Sequence, residues 1–459
     1  MSDTVKNRGW QVALAGTGIN LALGVLYAWS IFKGAIKSSI EKGGPGAFNW
    51  DPASINDPYA ICCLAFAFSM IIAGKAQDKI GPARTALIGG LLVGAGFTLL
   101  SQSNSYLAWV LGFGVLAGSG FGFGYSAATP PALKWFPSSK TGLIAGIVVA
   151  GFGLAPVYIA PVSTWLLGSM GIQNSMLVLA AAFTVVVCGL SFFLVNPPAG
   201  YVPADAPKSD TATAAKAAPA KPTVNATASE MLKSGKFYIL WLAYFIGAGA
   251  GLMVIGSVAG IAKKSMGPLA FVAVAIMALG NAGGRVVAGI LSDKIGRMAT
   301  LCIVFVFQAS LMFAAIPLVG AGHTNAALIV LLATFIGFNY GANLSLFPSF
   351  SKDYWGLKNY GLNYGILFTA WGVGGFVMGR VSEMLNTSTG SFTTSFTLAG
   401  ALLIGGAVLS LALRPAKAAK HAEIAAAEPS ARSVFMESFM RGWADFLGFT
   451  PTTPRSFSR

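Results

Sequence analysis

Acid is what this sequence has least of. Asp and Glu number 15 in 459 residues against 30 Lys and Arg, and charged residues make up 10% of the chain. A soluble domain carries about 25%, so a soluble globular class is excluded for most of the length. Histidine occurs twice, at His323 and His421, and neither falls within an apolar span. An imidazole proton relay inside the spans is excluded with it. The four cysteines, Cys62, Cys63, Cys188 and Cys302, sit in apolar runs without ligand-type spacing. They read as small buried hydrophobes, not as a disulfide framework or a metal site. No Walker-type phosphate loop is present. The sequence therefore implies no metal, no cofactor and no covalent chemistry, and the chain is not read as an enzyme.

Long uncharged runs dominate instead: Trp10 to Phe32, Thr85 to Leu133, Thr141 to Ala204, Phe237 to Ala262, Met298 to Ser351 and Asn359 to Gly379. A membrane-crossing helix needs roughly 20 apolar residues, so several runs hold two crossings. A transmembrane β-barrel would show short alternating segments. The first run is too long for the apolar core of a signal peptide and reads as a first span. Twelve spans are expected, at 10–32, 56–75, 85–102, 105–128, 141–167, 173–195, 237–260, 267–291, 298–318, 325–346, 361–382 and 392–413. Pro130, Pro131, Pro156 and Pro161 are expected to mark bends.

Between the sixth and seventh spans lies a stretch rich in Ala, Pro and Lys, which cannot bury a core and reads as a flexible linker. The expected organisation is an N-terminal six-helix half (1–196), a linker (197–233), a C-terminal six-helix half (234–414) and a tail (415–459). A repeat supports the two halves. "GKAQDKIG" from Gly74 matches "GILSDKIG" from Gly289, and "GFGYSA" from Gly122 matches "GFNYGA" from Gly337 at the same offset. "GLIAGI" from Gly142 matches "GLNYGI" from Gly361 after a short insertion. Duplicated halves of this kind place a substrate site at their interface.

The net charge of +15 would suit nucleic acid, but the basic residues sort by loop and no nucleic-acid partner is expected. With both termini in the cytoplasm, only Lys33, Lys37, Lys42, Lys263, Lys264 and Arg380 fall on the outer side. Arg285 lies within a span, and the rest of the 30 are cytoplasmic. That asymmetry sets the orientation of a multi-pass protein in the inner (plasma) membrane. In the tail, Phe435, Met436, Phe439, Trp443 and Phe446 are spaced for an amphipathic helix on the inner membrane surface, or the tail is disordered.

"GKAQDKIGPAR" and "GILSDKIGR" resemble the paired signature loops of the major facilitator superfamily. The resemblance implies an all-α membrane protein of twelve transmembrane helices in two pseudo-symmetric six-helix bundles. It implies that Gly74 and Gly289 let helices approach closely. It also implies that Asp78 and Asp293 face neighbouring helix N-termini and lock one conformation, through the helix dipole. Four further stretches, "NRGWQVALAGTGINLALGVLYAWSIF", "KWFPSSKTGLIAGIVVAGFGLAP", "NAGGR" and "KNYGLNYGILFTAWGVGG", resemble the oxalate:formate antiporter and monocarboxylate porter branch. The resemblance runs from about residue 7 to 414 and implies a secondary transporter working by alternating access, as a monomer.

Arg285 is the residue the pattern leaves unexplained. A charge at the bilayer centre costs about 2.5–3.5 kcal/mol on insertion scales. Arg285 stands about 12 Å from the inner end of its span at helical rise, and no acidic residue lies at comparable depth. Asp57, between Asn56 and Pro58, reads as a helix start, and Glu383 can pair with Arg380 one turn away. Either backbone carbonyls and water satisfy the arginine, or the missing anion is the substrate. A guanidinium suits the second role, because it holds a carboxylate through two parallel hydrogen bonds.

The oxalate carriers of the branch also carry a lysine in span eleven; here Leu367 takes that place. One positive charge matches one carboxylate, which points to a monocarboxylate such as lactate, pyruvate, glycolate or formate. Related proton-linked carriers often have an Asp one turn before the arginine, where this chain has Asn281. Asn281 can donate to a carboxylate but cannot titrate. Proton symport with the substrate carboxylate as carrier is expected, with exchange as the alternative. Tyr27, Tyr125, Tyr340, Tyr364 and Trp371 are expected to line the site with Arg285 and Asn281, since a tyrosine hydroxyl inside a span needs a partner. Asn339, Asn343 and Asn363 are further candidates. The rival readings are an oxalate:formate-type exchanger and, of another class, a non-transporting carboxylate sensor signalling through its tail.

Overall fold

Segments this apolar have one way to satisfy their backbone in lipid without closing a barrel, which is to bond every amide within the segment. The computed structural model describes residues 7–203, 225–266, 270–320, 326–389 and 391–413. Every regular element among the described residues is helical. Helix α1 (Gly9–Leu23), a 3-10 turn (Gly24–Ala28) and α2 (Trp29–Lys42) make the first crossing. Helices α3 (Asp57–Ile80) and α4 (Pro82–Gln102) follow, with a proline in the first turn of each. They meet at Gly81, whose φ of +89° suits glycine. Helix α5 (Tyr106–Trp109), a π-helical stretch (Val110–Ala117) and α6 (Gly118–Trp135) form the fourth crossing. Helix α7 (Thr141–Leu154) runs into α8 (Pro156–Ser191), which is broken by a kink at Gly171 with φ +76°.

After the short α9 (Ala228–Lys233) come α10 (Gly235–Met266), α11 (Ala270–Ile295), α12 (Arg297–Gly320), α13 (Ala326–Trp355), α14 (Tyr360–Thr389) and α15 (Thr393–Ser410). Among the described residues, ten helical stretches are long and apolar enough to cross a membrane. One of these, Ser138–Ser191, contains the kink at Gly171 and at 54 residues is long enough for two crossings, and the 30-residue α14 is long enough for another. Of the expected bend prolines, Pro156 opens α8, while Pro130, Pro131 and Pro161 lie inside helices.

The first crossing overruns its expected end, because α2 continues as helix from Phe32 to Lys42. The end of the expected linker is also helical. Thr227 and Glu230 form a capping box that starts α9, with the Glu230 carboxylate accepting from the Thr227 N–H at 2.7 Å. Residues 204–224 of the linker lie outside the described residues, as does the tail from 414 with its expected amphipathic segment.

Within residues 1–412 the two halves pack as one unit. Lipid tails give helices no hydrophobic reason to associate, so close backbone packing has to hold them together. Two crossings between the halves show it. Helix α3 lies on α14 where a Cβ on Gly74 would come 2.0 Å from the Gly361 carbonyl oxygen. Helix α11 lies on α7 where a Cβ on Gly289 would come 2.2 Å from the Gly142 carbonyl oxygen. Both contacts fall on repeat-related residues.

Candidate functional site

Helix α11 carries Arg285 against α7, with its side chain fully buried. Nε donates to Asn281 Oδ1 at 3.0 Å, one turn earlier on the same face. Nη1 donates to the Val149 carbonyl on α7, across the interface between the halves. Nη2 is buried with no partner. Gly153 on α7 makes room, since a Cβ there would stand 2.9 Å from Asn281 Oδ1 and 3.0 Å from Arg285 Nε. The ion pairs Lys37–Glu41, Arg297–Asp293 and Arg297–Asp353 leave Arg285 out. One carbonyl and one amide thus satisfy part of the guanidinium, and its outer nitrogen is left over.

The aromatic residues gather on the same level. Tyr27 stands in the 3-10 turn that breaks the first crossing. Its hydroxyl lies 2.6 Å from that of Tyr340, which also accepts from Trp371 Nε1 at 2.8 Å. Tyr340 is therefore occupied on both sides. Its repeat partner Tyr125 is 3% exposed and its hydroxyl has no partner. The Tyr125 ring stands edge-on to Phe152 at 5.6 Å, with Phe66 and Phe368 at 5.6 and 5.5 Å. The Arg285 guanidinium also lies within hydrogen-bonding reach of Tyr27 and within electrostatic reach of Tyr125 and Tyr340. Tyr364 lies in hydrogen-bonding reach of Tyr125, with its hydroxyl 3.5 Å from that of Tyr244.

A second arrangement lies at one end of the bundle. Asp78 accepts from the Gly361 and Leu362 amides in the first turn of α14, at 3.2 and 3.0 Å. Asp293 accepts from the Gly142 and Leu143 amides in the first turn of α7, both at 2.9 Å. Each carboxylate caps a helix of the opposite half, where the first amides lack intrahelical partners and the dipole favours a negative charge. Asp293 is also gripped by Arg297 at 2.6 Å, and Arg297 is held by Asp353 at 2.9 Å.

The pattern of the Major Facilitator Superfamily matches residues 12–379, with a second match over 272–453. The chain belongs to that superfamily. Among its relatives is the uncharacterized MFS-type transporter YhjX of Escherichia coli, 30% identical over 79% of this chain and 85% of the relative. The oxalate:formate antiporter of Oxalobacter formigenes is 28% identical over 85% and 88%. Monocarboxylate transporter 13 of Rattus norvegicus is 25% identical over 88% and 89%. The branch read from the sequence is the one these relatives represent. Two solved structures share the fold at 14% identity. The human organic anion transporter MFSD10 aligns with TM-score 0.63 over 88% of this chain and 99% of its own. The Escherichia coli fucose transporter FucP in its outward conformation aligns with TM-score 0.61 over 88% and 100%.

As a member of this superfamily the chain is a multi-pass membrane transporter and not an enzyme. Its helices bring Arg285, Asn281, Tyr27, Tyr125, Tyr340 and Trp371 together. The three candidate asparagines spend an amide N–H on backbone carbonyls, while each Oδ1 stays buried without a partner. The Asn339 and Asn343 amides donate to backbone carbonyls one turn earlier in α13. Asn363 donates to the Ala226 carbonyl at the end of the linker. The sequence reading did not single out Phe66, Phe152 and Phe368, which wall the site. In sequence they look the same as lipid-facing phenylalanines of the same spans. Leu367 is fully buried.

Proposed function

We propose that the chain moves a small monocarboxylate across the plasma membrane by alternating access, and that Arg285 is the substrate's counter-ion. One observation carries the reading: a fully buried guanidinium with an unpartnered Nη2 and, among the described residues, no carboxylate paired with it. An uncompensated charge is costly inside the bilayer, and a carboxylate that arrives and leaves would relieve the cost in the loaded state. The free Tyr125 hydroxyl offers a second donor to the same ligand. Asn281, Tyr27, Tyr340, Tyr364 and Trp371 hold or surround these two groups. A single positive charge favours a monoanion over a dianion, and Leu367 supplies no second one. The names of the relatives, oxalate:formate antiporter and monocarboxylate transporter, support a carboxylate of this size.

The working parts are two six-helix halves, 1–196 and 234–414, joined by the segment 197–233 and followed by the tail from 415. Both termini are cytoplasmic, which puts Asp78 and Asp293 at the cytoplasmic end as latches of the state closed on that side. The transporter acts as a monomer. With an amide, Asn281, where a carboxylic acid would stand beside Arg285, symport would carry its proton on the substrate.

The test is uptake of labelled lactate into proteoliposomes, with and without an inward proton gradient, with pyruvate, formate or oxalate as competitors. Gradient-driven accumulation blocked by pyruvate and not by oxalate is expected. Uptake that ignores the gradient and requires oxalate or formate preloaded inside would replace this reading with an exchanger.

A further inference from the structure

The two latches differ in the residue that precedes the capped helix. An N-cap side chain normally accepts from the second or third amide of its own helix. Those are the amides that Asp78 and Asp293 take from the opposite half. Before α7 the N-cap is Lys140, which makes no capping bond and has no acceptor with which to compete. Before α14 the position belongs to Asn359, among the best N-caps known. Its carbonyl accepts from the Asn363 amide at 3.0 Å, as an N-cap carbonyl does. Its side chain, though, points elsewhere. Nδ2 donates to the Ala226 carbonyl at 3.1 Å, and Asn363 Nδ2 donates to the same oxygen at 3.0 Å.

The stretch that takes these bonds is the end of the inter-half linker, and it is fastened at several points. The Ala226 amide donates to the Trp355 carbonyl at 3.0 Å, and the Lys358 amide donates to Asn225 Oδ1 at 3.3 Å. The capping box of α9 fixes the chain immediately afterwards. The other described end of the linker is fastened too. Trp135 Nε1 donates to the Val195 carbonyl at 2.8 Å, and the Tyr201 ring packs on Trp135 at 4.8 Å. Lys134, beside Trp135, lies in electrostatic reach of Asp78. Both ends of the linker are thus anchored next to the Asp78 latch, one on each half.

We propose that the linker end at Asn225–Thr227 is a clasp that diverts Asn359 from capping its own helix and so reserves the Gly361 and Leu362 amides for Asp78. Release of the clasp frees Asn359 Oδ1 to turn onto those amides, Asp78 loses its partners, and the halves part at this end. The linker then sets the balance between the two faces of the transporter, independently of which substrate is carried.

The test measures the spread between the halves in the full-length protein. Spin labels on Lys79→Cys of α3 and Lys294→Cys of α11, with native cysteines changed to alanine, report the distance by pulsed electron resonance. Asn359→Asp keeps an acceptor and loses the donor, so it should raise the long-distance population about tenfold, the change that one or two ordinary hydrogen bonds make in an equilibrium. Asn359→Lys keeps a donor and loses the acceptor, so it should stay closed. Ala226→Pro, which removes the bond to Trp355, should open this end. Adding Asn359→Lys to Ala226→Pro should close it again, because lysine cannot self-cap. Unchanged distances in Asn359→Asp overturn the proposal. So does a double variant as open as Ala226→Pro alone, which would show that the clasp only holds the loop.

Discussion

The N-terminal and C-terminal halves carry the same layout and have divided the work unevenly. The repeat that aligns Asp78 with Asp293 and Tyr125 with Tyr340 sets Met70 opposite Arg285. Met70 is fully buried, with its carbonyl against Gly365 of α14, and contributes only packing. The C-terminal half therefore brings the charge, while the N-terminal half brings a wall of Phe66, Tyr125 and Phe152 and the free hydroxyl. The latches follow the same bias. Asp293 belongs to a braced cluster with Arg297 and Asp353, and Asp78 has its two amides and a more distant Lys134. A duplicated fold supplies symmetric helix contacts for the rocking of its halves. Binding a small asymmetric anion needs no such symmetry.

The comparison breaks most sharply at Arg285. Arg285→Lys keeps the charge and gives up the fork that reaches Asn281, Val149 and a ligand at once. Transport should fall at least about a hundredfold, the equivalent of about 3 kcal/mol for breaking a buried charge interaction. Insertion and thermal stability should stay close to the parent. Met70→Leu at the matching position should leave uptake within about twofold, as volume-conserving swaps usually cost little. Parallel uptake and melting measurements would decide, and near-normal uptake by Arg285→Lys would remove the arginine from the site.

The latches come next in size. Asp293→Asn removes a charge-assisted grip on Arg297 as well as one strong acceptor, at side chains only 10% and 11% exposed. It should shift the closed state by about 2–3 kcal/mol, and Asp78→Asn by about 1–2 kcal/mol, given 1.5–3 kcal/mol for a bond to a charged group. The same spin-label pair would read both. Equal shifts would mean that the Arg297–Asp353 brace adds nothing to closure.

A smaller difference is expected between the repeat-related tyrosines. Tyr125→Phe removes a hydroxyl that makes no hydrogen bond of ordinary length in the protein and has only Tyr364 within reach, so folding should be little affected. The apparent KM should rise about fivefold, as for one hydrogen bond of about 1 kcal/mol. Tyr340→Phe strands the Trp371 N–H and the Tyr27 hydroxyl in a buried place, so it should cost about 1–2 kcal/mol of stability. If both variants lose stability equally, Tyr125 has a structural partner and its place in the site fails.

What the sequence made legible follows from how rare each signal is. Charge is scarce enough that Arg285 stood out alone, and a motif occurring twice located both latches. Spans could be counted because uncharged runs reach helical length. Neutral polar residues gave no such contrast. Asn339 and Asn343 look like lining residues, yet an amide can bond the carbonyl one turn back in its own helix, which no pattern of types discloses. The 3-10 turn at Gly24–Ala28 was equally hidden, since its residues continue the apolar run on either side. Helix α9 escaped because a capping box takes four residues and gives no periodicity, in a stretch whose composition otherwise reads as linker.

That helix gives the smallest effect and the finest check on the difference between the halves. The Glu230 carboxyl is held below the ordinary carboxylate range, chiefly by the N–H and hydroxyl of Thr227. A depressed folded value means that the capping box stabilises α9 in full above the unfolded carboxylate value. The stabilisation fades as pH falls through the lower, folded value. The amide protection factors of residues 228–233, exchange rates corrected for their intrinsic pH dependence, should therefore fall on acidification within the acid range. Thr227→Ala should show low protection at every pH and lose that dependence. The matching end of the linker, at Val195 and Tyr201, is fastened by Trp135 with no carboxylate and should show no such response. A pH response at both ends would place its origin outside the capping box.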